Sequence, residues 1–177
     1  FTTEINTPNV NWRGAAVRRF GTNSYTLLFT GGSTLAVTDT KLPGGYDFRT
    51  LPFGITGARG IACSTLVDDG CVVAAGSSIL YGNYDNFFER SANTSNHNVN
   101  FTNGRLFVTG YGGGVSSWDG AQWLDSSASF ADVYNVAFGP DGAGGQHYVT
   151  VGDAGAIAVS SSLSQWTTSQ PLGLFYA

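Results

Sequence analysis

The stretch YVTVGDAGAIAVSSSLSQW, Tyr148 to Trp166, decides how this chain is read. It is a short apolar strand, a Gly-Asp-Ala-Gly turn, a second apolar strand, a serine run and a tryptophan. Three more segments end on glycine in the same way: TLLFTG (26–31), CVVAAG (71–76) and RLFVTG (105–110), beside HYVTVG (147–152). Each is followed by a second strand: STLAVTD, SSILYGNYD, GGVSSWD and AIAVSSS. Each is preceded by another strand candidate: AAVRRFG, GIACSTLVDDG, VNFTNG and YNVAFGPDG. A more polar fourth strand closes each unit: YDFRTLPF, FFERSAN, AQWLDSSAS and WTTSQP. The chain is therefore expected to hold four units of four antiparallel strands, over about 9–53, 54–93, 94–130 and 131–177, repeating at roughly 40 residues.

A four-stranded meander has two faces and does not stand alone. Inner strands as apolar as CVVAAG and TLLF predict sheets covered on both faces, which stacking like units achieves. The expected fold is an all-β, propeller-like single domain over 1–177. A sandwich has no need of the same strand–Gly–strand order four times, and a β-helix repeats at a shorter period. FTTEINTP at the N-terminus echoes WTTSQPL near the C-terminus. Residues 1–8 are thus expected to act as a closing strand, either of the chain's own ring or of an arc completed by another subunit.

Composition supports this. Glycine is abundant at 25 residues, which supplies turn positions, and charged residues are only 11%, well below the usual share of about a quarter. No stretch carries the i, i+3, i+4 spacing of an amphipathic helix. The net charge of −4, with one lysine and no basic cluster, argues against nucleic acid as a partner. No apolar run approaches a membrane span, so membrane insertion is not expected. The chain lacks methionine and begins at Phe1, and is expected to be a processed or excised piece of a larger product. Cys63 and Cys71 could close a small disulfide loop, or stand reduced on adjacent strands; a tight turn at Asp68-Asp69-Gly70 would not set them directly opposite.

The last unit resembles the blades of Asp-box (BNR, sialidase-like) and photosystem-assembly-factor-type β-propellers. VSSWDGAQW (115–123) resembles the Asp-box itself through Ser117, Asp119, Gly120 and Trp123, one residue short of the usual spacing. The last unit keeps Ser160, Ser162 and Trp166 but has no aspartate there. The resemblance implies a structural role: Ser117 and Asp119 cap a turn through local hydrogen bonds, and Trp123 and Trp166 pack between neighbouring blades.

It does not imply catalysis. A sialidase needs an arginine cluster, a Tyr–Glu pair and an acid. The arginines (Arg13, Arg18, Arg19, Arg49, Arg59, Arg90 and Arg105) are scattered, and the glutamates are only Glu4 and Glu89. His97 and His147 have no ligand-spaced partners, so no metal is expected, and no cofactor. The acidic turns at 68–70 and 139–145 read as hairpin turns rather than calcium loops. Aromatics at turns carry the functional expectation: Tyr84, Tyr111 and Trp118, with Asn86 and Asp119, offer ring faces and polar groups to a sugar. The chain is expected to be a non-catalytic glycan- or receptor-binding module, extracellular or on a cell surface. The alternative is an assembly subunit of a filament, pilus or virion that associates with copies of itself.

Overall fold

The computed structural model describes residues 10–20, 24–39, 47–64, 70–83 and 86–169. The expected closing strand at 1–8, the GLFYA end and Tyr84 lie outside them. The strands are β1 (Gly14–Phe20), β2 (Ser24–Gly31), β3 (Thr34–Asp39), β4 (Asp47–Thr50), β5 (Ala58–Cys63), β6 (Cys71–Asn83), β7 (Asn86–Thr102), β8 (Arg105–Gly110), β9 (Gly114–Trp118), β10 (Trp123–Ser127), β11 (Val133–Pro140), β12 (Gln146–Gly152), β13 (Ile157–Ser160) and β14 (Thr167–Ser169). Among the described residues the sole helical piece is one 3-10 turn, Asp153–Gly155. All the strand pairings are antiparallel.

The first and last units are the meanders β1-β2-β3-β4 and β11-β12-β13-β14, while the middle units share one six-stranded sheet, β10-β9-β8-β7-β6-β5. The expected unit boundary near residue 93 therefore falls inside β7. The six strands still carry eight segments. Residues 71–75 of β6 pair with β5, and 78–83 with β7; in turn β7 pairs with β6 through 86–91 and with β8 through 96–102. Gly76, at φ +60°, is where β6 changes partner. Side-chain direction flips there as well. Val73 and Leu80 face the first unit, whereas Val72, Ile79 and Tyr81 face the third.

Three apolar layers separate the four units. Leu28, Leu35 and Val37 pack on Ile61, Val73 and Leu80 between the first and second units. Val72, Ala74 and Ile79 meet Val99, Leu106 and Val108 between the second and third. Phe107, Val115 and Ala128 meet Val136, Tyr148 and Leu163 between the third and fourth. Burying both faces of each middle unit is what its near-continuous apolar strands require.

The first strand of each unit lies innermost, in the succession β1, β5, the second half of β7, β11. Glycine sets the close approach. A Cβ at Gly14 would come 3.0 Å from the Ile61 nitrogen, and one at Gly60 2.8 Å from the Val99 nitrogen. Between the third and fourth units asparagine does the joining. Asn98 and Asn100 donate from Nδ2 to the carbonyls of Tyr134 and Val136, each at 2.6 Å. The Asn100 side chain is thereby committed inside the fold. Cys63 and Cys71 are directly opposed in the β5–β6 register and are disulfide-bonded. They sit opposite because the β5–β6 ladder runs on to this pair, with Ser64 N–H donating to the Gly70 carbonyl just beyond it; the expected tight turn at 68–70 falls largely outside the described residues.

Candidate functional site

The inner strands share one irregularity. The ladder slips between Ala58 and Gly60, between Asn96 and Asn98, and between Val133 and Asn135. Each slip is a β-bulge at the start of an inner strand, and the extra residues are Arg59, His97 and Tyr134. A bulge re-aims the side chain it carries. In the first unit the same place, just before β1, belongs to Arg13, whose N–H donates to the Thr30 carbonyl at 2.9 Å.

Arg13, Arg59 and Tyr134, from three different units, line one open depression, and Tyr111 of the remaining unit completes it. Tyr111 occupies the β8–β9 turn, held by its N–H on the Ser95 carbonyl and by a bridge to Asp132. Its hydroxyl accepts from Arg59 Nη1 at 3.5 Å. The Tyr134 hydroxyl donates to Asp153 Oδ1. That hydrogen bond, followed by desolvation and the charges of Asp153 and Asp132, pushes the Tyr134 pKa up to about 12. Tyr111 and Tyr134 are 43% and 45% exposed, so ring faces and guanidinium groups are presented together. A second depression continues along the rim from Arg13 and Arg59 past Gly32, Ser33 and Thr56.

The residues singled out from the sequence divide between two rims. Tyr111 belongs to the depression just described. Trp118 and Asp119 lie at the other end of β9, and Asn86 lies at the β6–β7 hairpin end, lining a groove with Arg49, Leu51 and Phe87. Trp118 is half-buried in an aromatic cluster, 5.2 Å from Trp123 and 6.1 Å from Tyr81 between ring centroids. This places both tryptophans between the second and third units, with Arg90 stacked 4.8 Å over the Trp123 ring. Trp166 packs in the next layer and donates from Nε1 to Ser126 Oγ at 3.0 Å.

Asp119 caps its turn. Its Oδ1 accepts from the Gln122 and Ala121 N–H groups, each at 2.9 Å, and these bonds hold its carboxyl below the ordinary value. Ser117 is buried and its hydroxyl makes no hydrogen bond, so it does not share in this cap. In the last unit, which lacks the aspartate, Ser160 Oγ accepts from Leu163 N–H at 2.8 Å and takes over the capping. The 139–145 turn is organised by Asp141, whose carboxylate accepts from Ala143 and Gly145 N–H and meets His147 Nε2 at 3.0 Å. Among the described residues no three His, Cys, Asp or Glu side chains cluster as metal ligands would.

Arg13, Arg59 and Tyr134 were not singled out as ligand groups from the sequence. Their signal is positional: RGAA, RGIA, HNVN and YNVA occupy one phase of the repeat.

No protein-family model matches the chain, and no curated protein matches it. Among solved structures it is similar to a streptogramin B lyase, with a TM-score of 0.70 at 10% identity over 95% of this chain and 57% of that one. It is also similar to YCF48, solved with a D1 peptide, with a TM-score of 0.60 at 15% identity over 97% of this chain and 56% of that one. The chain thus spans just over half the length of these neighbours. At such identities the likeness establishes the fold: β-propeller-like, with four stacked sheet units.

Proposed function

We propose that the chain is a non-catalytic binding module of an extracellular or surface-exposed protein, and that its ligand is a carboxylate-bearing glycan or protein receptor. The observation that carries this reading is that the bulges at Arg59 and Tyr134, and Arg13 at the corresponding place before β1, bring these side chains from three units to one depression beside Tyr111. Guanidinium forks recognise carboxylates in bidentate fashion, and tyrosine rings stack on sugars or apolar side chains. The non-catalytic part rests on the same groups. An arginine stays charged at any working pH, and a tyrosine pushed up to about 12 is a poor proton shuttle near neutrality. The disulfide suits an oxidising compartment, which supports placement outside the cytosol. The YCF48 neighbour was solved with a peptide, which supports a protein segment as ligand. The Asp-box kinship is proposed on the Asp119 cap and the inter-unit tryptophans.

The test is an array of acidic and neutral glycans and peptides, probed with the parent chain and with an Arg13→Ala/Arg59→Ala variant. The reading expects acidic ligands to be retained by the parent and lost at least tenfold in the variant. Equal retention by both proteins would overturn it.

A further inference from the structure

The depression beside Tyr111 does not end at the arginines. It holds about 380 Å³, and the second depression along the rim holds about 390 Å³. The two share Arg13 and Arg59, so they form one groove with a pair of guanidinium groups at its waist. One lobe is aromatic, with Tyr111 and Tyr134. The other is built of small polar pieces, chiefly Gly32, Ser33, Thr56 and Gly57, with Asn11 at its margin. Val10 and Ala58 are its only apolar side chains among the described residues.

The waist carries uncompensated charge. Arg49, Arg90 and Arg105 each meet a carboxylate, that of Asp47, Asp125 and Asp119 in turn. Arg13 and Arg59 meet none among the described residues, and the Arg59 guanidinium reaches only the Tyr111 hydroxyl. In a chain of net charge −4, two such cations on one groove mark the place of a ligand anion. The tyrosine lobe has the opposite character. Asp153 accepts from the Tyr134 hydroxyl, and Asp132 also acts on that tyrosine by its charge. A neutral group belongs there.

The polar lobe separates the two ligand classes. A peptide in a groove draws on a free sheet edge or on apolar pockets. Here backbone groups are already used: Ala58 N–H donates to the Gly32 carbonyl at 2.9 Å, and Leu51 N–H to the Ser33 carbonyl at 2.8 Å. The side chains of Asn11, Ser33 and Thr56 make no hydrogen bond among the described residues. Free hydroxyl and amide groups, with exposed tyrosine rings beyond the waist, suit a polyhydroxylated chain.

We propose that this groove binds an internal stretch of a linear acidic polysaccharide in which a uronate alternates with a neutral sugar. The uronate carboxylate lies between Arg13 and Arg59. The neutral sugar on one side stacks on Tyr111 and Tyr134, and the one on the other side bonds Ser33 and Thr56. This rests on the rim reading and narrows its ligand to a chain longer than a disaccharide.

Isothermal titration with hyaluronan oligosaccharides of two, four and six sugars tests it, with a glutamate-rich peptide beside them. The parent should bind the tetrasaccharide about tenfold more tightly than the disaccharide, with little further gain for the hexasaccharide. A Cβ at Gly32 would approach only the Thr56 carbonyl, at 3.8 Å, so Gly32→Asn fills the polar lobe, and asparagine tolerates the φ of +56° there. That variant should lose the gain from two sugars to four. Ser33→Ala/Thr56→Ala, which leaves the backbone alone, should weaken tetrasaccharide binding about fivefold. Thermal melts matching the parent establish that the variants fold. Equal affinity for two and four sugars, or a length dependence that the folded lobe variants retain, would overturn the proposal. If Arg13→Ala/Arg59→Ala still abolishes binding in that case, the rim reading stands. Preference for the peptide over every oligosaccharide would also overturn the proposal alone. Binding that the arginine variant keeps would overturn both.

Discussion

Tyr134 shows how one side chain can be read chemically from its neighbours. Its hydroxyl donates to Asp153, and its pKa rises from 10.0 to about 12. A raised folded value means the contribution is present below pH 10 and is lost as pH climbs from there toward 12. Ultraviolet difference titration should find a tyrosine step near pH 12 that Asp153→Asn moves down toward 10. If parent and variant titrate alike, the Tyr134–Asp153 bond is absent. The carboxylates work in the opposite sense. Asp141 is held below the ordinary 3.8 by the Ala143 and Gly145 N–H groups and then by His147. Its contribution is therefore complete above that value and lost as pH falls below it. Asp141→Ala should melt below the parent at neutral pH, with the gap closing in acid; a gap unchanged by acid would contradict the cap. The Asp119 cap was expected from the Asp-box resemblance and 139–145 from its turn residues, but not that Asp141 organises that turn or that Ser117 stays out of its own. The bulges were not legible. A bulge is an event in the hydrogen-bond ladder, and the residues RGI and YNV look like ordinary strand starts until the units are aligned.

Between elements, large aromatics join the layers. Trp123 and Trp166 are each half-buried at a unit-to-unit contact. Truncation to alanine should cost about 3 kcal/mol each, toward the lower end for a tryptophan. Trp166→Phe should cost only about 1 kcal/mol, the worth of the hydrogen bond to Ser126. Chemical denaturation measures both, and an unchanged midpoint for the alanine variants would move these rings to the surface. The disulfide acts on one element pair. Cys63 and Cys71 are 8 residues apart, and the chain-entropy treatment gives such a loop about 2.5 kcal/mol. The Cys63→Ala/Cys71→Ala double variant should lose about that much, and an equal midpoint would mean the hairpin is already closed without the bond. The glycine-ended strands and the order of strands within each unit were readable because turn chemistry and apolar runs are local. The passage of β6 and β7 through two sheets was not. It depends on which neighbour each half meets beyond Gly76.

At the scale of the whole molecule, the meander order assigns each turn to a rim. Turns between second and third strands fall on the rim of Arg13, Arg59 and Tyr134, and turns between third and fourth strands fall on the opposite one. Tyr111 therefore parts company with Trp118, Asp119 and Asn86, although all are turn-side polar or aromatic residues in sequence. Periodicity made the four-unit stack legible; the position of a site on it required knowing which ends converge. The central claim is that binding occurs where the bulged inner strands converge. Hydrogen–deuterium exchange with and without the strongest ligand from the array tests it most directly. The account predicts slowed exchange at 57–60, 110–113 and 132–135, with the turns at 86–88 and 119–122 unchanged. Protection confined to those latter turns, with the bulged segments unaffected, would contradict it.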